Sequence, residues 1–152
     1  MRSVELVKLE RYWKDLESFR PNYRVYIAGP KHRCDPIHDQ RWRRRFASDL
    51  QRRGMIGVLP VEDTQQPELE DLHDISTCWA FYANLFCVSA GTAVEMYVAK
   101  YVRGIPVIAF VSIPDPSPWV AFCSTVVVKS RRAALDELSR LRRETMVEWL
   151  ER

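Results

Sequence analysis

The chain has 152 residues, 47% of them hydrophobic and 28% charged, with a net charge of +3. That length builds one domain with its own core, and that composition excludes a disordered or fibrous chain. No apolar run reaches membrane-spanning length, as the interruption at Arg103 and Gly104 shows, and no secretory core follows the charged N-terminus; a cytoplasmic protein with no membrane partner is expected.

Residues 3–19 read as an amphipathic helix, with Leu6, Leu9, Trp13 and Leu16 on one face. This segment, 1–20, is an extension to a domain spanning 21–152. "YRVYIAG" (23–29) is a strand rich in β-branched and aromatic residues that ends at Gly29-Pro30. A polar loop, "KHRCDPIHD", leads into a basic helix over 38–53. Its Trp42, Phe46 and Leu50 fall four apart, which leaves the run "RWRRRF" on a solvated face. Gly54 stops that helix. "MIGVLP" (55–60) is a second strand, and a helix follows from Glu68 to Cys78.

"WAFYANLFCV" (79–88) is almost continuously apolar, as a strand covered on both faces is. The next helix begins near Thr92 and ends at Gly104. "IPVIAFVS" (105–112) is another buried strand, "IPDPSP" a loop, "STVVVKS" (124–130) a last strand, and 131–150 a charged amphipathic helix. Strands alternate with helices and lack period-2 patterning. The expected fold class is therefore α/β: a single Rossmann-like or flavodoxin-like domain with a mostly parallel five-stranded sheet flanked by helices.

The four cysteines, Cys34, Cys78, Cys87 and Cys123, form no C-x-x-C pair, so no metal site is read. Three sit in apolar contexts and read as small core residues. Whether any of them pair stays open. No cofactor motif is present either: there is no G-x-G-x-x-G, G-x-x-x-x-G-K or G-x-S-x-G.

Ligands of such sheets bind outside the carboxyl ends of the strands, where strand order reverses. Two loops leave strand ends with useful chemistry. In "AGPKHR" (28–33), Gly29 lets backbone approach a ligand, and Lys31, His32 and Arg33 can meet an anion. In "SAGT" (89–92), Ser89 and Thr92 supply hydroxyls, Gly91 removes a side chain, and the following helix aims its N–H groups at the same place. Glu95 admits two readings. One is a capping box, with Thr92 or Gly91 as N-cap and Glu95 reaching back to backbone. The other is an acid projecting into the cleft as a nucleophile.

"VYIAGP" followed by "SAGTAVEMYVAKYVRGIPVIAF" resembles the nucleoside 2-deoxyribosyltransferase superfamily, which includes deoxynucleoside 5′-monophosphate N-glycosidases and cytidine-monophosphate hydrolases. The resemblance spans residues 23 to about 112. It implies that Glu95 attacks the anomeric carbon, that Tyr26, Gly29 and Pro30 line the site, and that Gly91 precedes the catalytic helix. At Ser89 the transferases usually carry an aspartate that binds the sugar 5′-hydroxyl, and the monophosphate hydrolases a serine. A hydroxyl and helix N–H groups hold a 5′-phosphate that an aspartate would repel. His32, Arg33 and Thr92 complete the expected substrate contacts.

The family often has an aspartate, which helps protonate the leaving base, where this chain has Trp79. Asp71, Asp74 and Asp63 are the replacement candidates for a contribution typically worth roughly 10²–10⁴-fold. Oligomeric members complete the site from a neighbouring subunit, with Ser117 and Trp119 the candidates here, so a homodimer or higher homo-oligomer is implied. The expected function is N-glycosidic bond cleavage or transfer on a (deoxy)ribonucleoside or its 5′-monophosphate, through a covalent glycosyl-glutamate. The rivals are a nucleotide-binding module without turnover and, more distantly, an RNA-binding protein using Arg41–Arg45.

Overall fold

The computed structural model describes residues 23–30, 39–60, 65–87 and 89–152. The helix expected over 3–19, and with it the extension 1–20, lies outside them, as do His32, Arg33, Cys34 and Asp63. The described elements are β1 (Arg24–Ala28), α1 (Asp39–Arg52), β2 (Ile56–Val58), α2 (Pro67–Ser76), β3 (Ala80–Leu85) and α3 (Ala90–Tyr97). A π-helical turn (Val98–Val102) extends α3, and β4 (Val107–Val111), α4 (Pro118–Cys123), β5 (Val126–Val128) and α5 (Arg131–Leu150) come after it.

The five strands form one sheet in the order β2-β1-β3-β4-β5, and every adjacent pair is parallel. The expected mostly parallel sheet is thus wholly parallel. Both of its faces are covered, which is why its strands read as unbroken apolar runs. In β1, Val25, Tyr26, Ile27 and Ala28 are all fully buried. Val25 and Ile27 face Phe46 and Leu50 of α1 and Ala134, Leu135 and Leu138 of α5. Tyr26 and Ala28 face the other way, toward Ile75 of α2, Met96 of α3, Ala99 of the π turn and Cys123 of α4. The chain winds outward from β1 to β2, then returns past β1 to β3. The strand order therefore reverses between β1 and β3, and it is beyond the carboxyl ends at such a reversal that ligands of these sheets bind.

Several elements are shorter than the sequence pattern suggests. β3 starts at Ala80 rather than 79, and β5 covers only Val126–Val128 of the strand expected over 124–130. β2 keeps three residues of the six expected. α4 was not expected at all; Ser117 caps it by accepting the Trp119 N–H, with Pro118 at its first position. α3 begins at Ala90, not Thr92, and its last turns are π-helical. Of the three cysteines read as core, Cys78 and Cys123 are buried free thiols, but Cys87 is disulfide-bonded.

The basic helix departs most from expectation. Arg41, Arg44 and Arg45 are exposed, as a solvated face requires, but Arg43 is completely buried. Position 43 stands three residues before Phe46 and seven before Leu50, on the inward stripe of the helix. Its Nη2 donates to the Gly29 carbonyl at 2.7 Å and, more distantly, to that of Pro30 at 3.5 Å. The guanidinium also lies 4.7 Å from the Trp42 ring centroid. A buried cation thus ties α1 to the end of β1.

Candidate active site

Tyr26 stands in the middle of β1, and its ring stacks on Phe81 of β3 with centroids 5.4 Å apart. Parallel pairing puts these two residues side by side. The phenol therefore points away from the sheet, between α2 and α3. There its hydroxyl donates to Glu95 Oε1 at 3.4 Å, bringing together residues 69 apart in sequence. Asp71 of α2 lies close enough for its charge to act on the same hydroxyl. Burial first, and then the charges of Glu95 and Asp71, push the ionisation of Tyr26 far above its ordinary range. The group stays a neutral phenol. With one proton it can donate to only one carboxylate at a time. The 3.4 Å separation is long for an O–H···O bond, a gap that tightens readily on ligand binding.

The helix that carries Glu95 begins at Ser89. The Ser89 Oγ accepts from the Thr92 N–H at 3.3 Å and from the Thr92 hydroxyl at 3.2 Å. With Ser89 as N-cap, a capping box would need its acid at position 92, where buried Thr92 stands. Glu95 lies six residues past the cap and faces Tyr26, so the capping-box reading is corrected. Gly91 is exposed, and among the described residues a side chain there would meet only Ser89 Oγ, at 3.9 Å. The exposed Gly91 and the Ser89 hydroxyl thus stand together at the first turn of α3.

Gly29 has a different cause from the one expected. A Cβ at this position would stand 2.8 Å from the Trp42 ring and 3.0 Å from the Asn84 carbonyl. The missing side chain makes room for an indole of this chain rather than for a ligand. Pro30 follows, and its carbonyl lies near Arg43.

Of the acidic candidates, Asp71 joins the cluster and is only 3% exposed. Asp74, one turn further along α2, acts with Arg24 on Cys78 near the amino end of β1. Burial pushes the Cys78 thiol up to about 11, with Arg24 pulling it down and Asp74 adding to the rise. Trp79 packs edge-on against Tyr23 at 5.4 Å, on the α1/α5 side. It therefore lies on the face opposite Tyr26 and Glu95 and neither fills nor blocks their cluster.

Two features were missed. Arg43 is one; the spacing 43-46-50 carried its signal. The other is an exposed aromatic face beside the site. Tyr97 stacks on Trp119 at 6.1 Å and contacts Tyr101 at 5.4 Å. Phe122 lies 4.8 Å from Tyr101 and 5.1 Å from Trp119. All four rings remain 41% to 49% exposed. Lys100 donates to the carbonyls of Phe122 and Ser124, and the Tyr101 hydroxyl also donates to that of Phe122, so the face is held rigid.

No family model and no curated protein matches the chain. Solved structures do. The Clostridium botulinum CMP N-glycosidase BcmB aligns with a TM-score of 0.55 and 19% identity, covering 76% of this chain and 97% of that one. The two share a fold. It is the α/β fold with a parallel sheet covered on both faces that the sequence pattern predicts. A 3-dehydroquinate dehydratase-like protein from Bifidobacterium longum aligns at a TM-score of 0.47 and 15% identity, over 77% of this chain and 94% of that one. Among the described residues no helix is long and apolar enough to cross a membrane.

Proposed function

We propose that the chain cleaves or transfers the N-glycosidic bond of a (deoxy)ribonucleoside or its 5′-monophosphate, with Glu95 as nucleophile. The observation that carries this reading is the convergence of Glu95, Tyr26 and Asp71 on one hydroxyl, in a fold shared with a CMP N-glycosidase. A Glu95 oxygen forms the bond to C1′ as the C1′–N bond breaks, and the electron pair leaves on the base nitrogen. Asp71, the second acid at the cluster, is assigned the proton that the departing base takes up. Water or a second base then attacks C1′ and passes its proton back to Asp71 as the Glu95 carboxylate departs. Tyr26 donates to that carboxylate while it is charged. Ser89, Gly91, Thr92 and the first turn of α3 suit the 5′-hydroxyl or phosphate.

The same reading includes a homo-oligomer, supported by the aromatic face. Four rings of about 150–250 Å² each, two-fifths to half exposed, present roughly 350 Å² of apolar surface per copy, at the scale of a functional patch. Trp119→Arg is expected to shift the sedimenting species toward the monomer. An unchanged sedimentation coefficient removes this face from the assembly.

The deciding experiment measures free-base release from ribo- and deoxyribonucleosides and their 5′-monophosphates, with wild type and Glu95→Ala. Release that disappears in the variant supports the reading. If wild type binds nucleotides but releases no base, with or without an acceptor base, the chain is a binding module without turnover.

A further inference from the structure

α5 outruns the domain it packs on. Its 20 residues span about 30 Å. Its last fully buried residue is Leu138, and Leu141 is the last to pack on the core. Beyond Thr145 every residue is exposed, yet this end carries Met146, Val147, Trp149 and Leu150, from 37% exposed at Trp149 to 71% at Leu150. Met146, Val147 and Leu150 share one face by helical spacing, and Trp149 borders it. An amphipathic stripe of this kind buries itself against something.

The chain's own start is the nearest candidate. Tyr23 stands immediately before β1, and the Arg142 guanidinium lies 4.8 Å from its ring centroid. Arg142 is one helical turn before Met146. At Tyr23 the described chain therefore begins beside the exposed end of α5. Tyr23 also packs on the α1/α5 side of the sheet. That is the face opposite the aromatic surface of α3 and α4, so the two apolar patches call for different occupants. Residues 3–19 carry Leu6, Leu9, Trp13 and Leu16 at helical spacing. As a helix they span about 25 Å, enough to lie along the stretch from Leu138 to Leu150, roughly 18 Å.

We propose that residues 3–19 dock, as a helix, on the Met146–Val147–Trp149–Leu150 stripe of α5. The leucine and tryptophan face of the segment covers the stripe and completes the α1/α5 layer.

Hydrogen exchange on the full chain tests this. Amides of 3–19 are expected to exchange at least roughly tenfold more slowly than a free peptide of that sequence. In Met146→Asp/Leu150→Asp they are expected to return to the free-peptide rate, while β1 and β3 stay protected. Leu9→Asp/Trp13→Asp is expected to speed exchange at 143–150 reciprocally, and it stands as the test if the α5 variant fails to fold. Free-peptide exchange in wild type overturns the proposal, as does protection unchanged in the variants. Protection that rises and falls with protein concentration overturns it too, because the stripe then belongs to a second copy.

Discussion

Replacing Tyr26 with phenylalanine keeps the ring stacked on Phe81 and removes only the hydroxyl shared by Glu95 and Asp71. A hydrogen bond to a charged acceptor is worth about 1.5–3 kcal/mol at good geometry. The 3.4 Å separation places this one at or below the bottom of that range, about 1–1.5 kcal/mol. The sign follows from the donor. A phenol that donates to a carboxylate favours its charged form, so removing it disfavours ionised Glu95. The acid limb of kcat/KM is therefore expected to move to higher pH. Because the carboxylate is also the leaving group of the second step, kcat is expected to fall by about tenfold. The assay is base release across pH on the best substrate, with circular dichroism confirming the fold. An acid limb that stays in place, with kcat unchanged, refutes the coupling of Tyr26 to the reacting acid.

Arg43→Met removes a buried cation that holds the Gly29 carbonyl at 2.7 Å. The expected cost is about 2–4 kcal/mol. Calorimetry should show a Tm lower by about 4–16 °C for a domain of this size; no change means that the contact contributes nothing. Tyr26 and Tyr82 both have ionisations raised by burial. Above pH 10 the unfolded chain releases these protons and the folded chain keeps them, so stability is full below pH 10 and falls as pH rises beyond it. Phenolate absorbance of these two residues should appear together with the loss of circular dichroism, not before it. Cys78, with its thiol pushed up to about 11, should resist alkylation at neutral pH until the chain unfolds.

The parallel sheet was legible because burial on both faces writes an unbroken apolar run, as in "YRVYIAG" and "IPVIAFVS". Strand order was not legible, because register between β1 and β3 depends on contacts more than fifty residues apart. α4 escaped notice because its six residues are too few to show a period, although the Ser117-Pro118 pair marks its start. Arg43 was hidden in a run of like residues, where charge outweighed spacing. For Glu95 the local pattern suggested a cap, because a glycine and a threonine precede it. The actual cap, Ser89, lies three residues earlier than Thr92. Nothing local could show that Tyr26, Asp71 and Glu95 meet. Each lies on a different element, and only the winding of the chain brings them together.

The π-helical turn after α3 has a consequence for comparing sequences. The Arg103 N–H reaches back five residues to the Val98 carbonyl at 2.9 Å, the mark of an α-helix holding one extra residue. Removing one residue from 98–102 would close the helix to regular winding without turning the chain beyond it. Both ends of the segment are fixed, by Glu95 before it and by β4 after it, so the change in length would be absorbed within the turn. Where a relative is one residue shorter between its counterpart of Glu95 and its fourth strand, the alignment gap belongs at 98–102 and not at Gly104. Placed there, it predicts that the relative lacks the arrangement by which Lys100 and Tyr101 grip the end of α4.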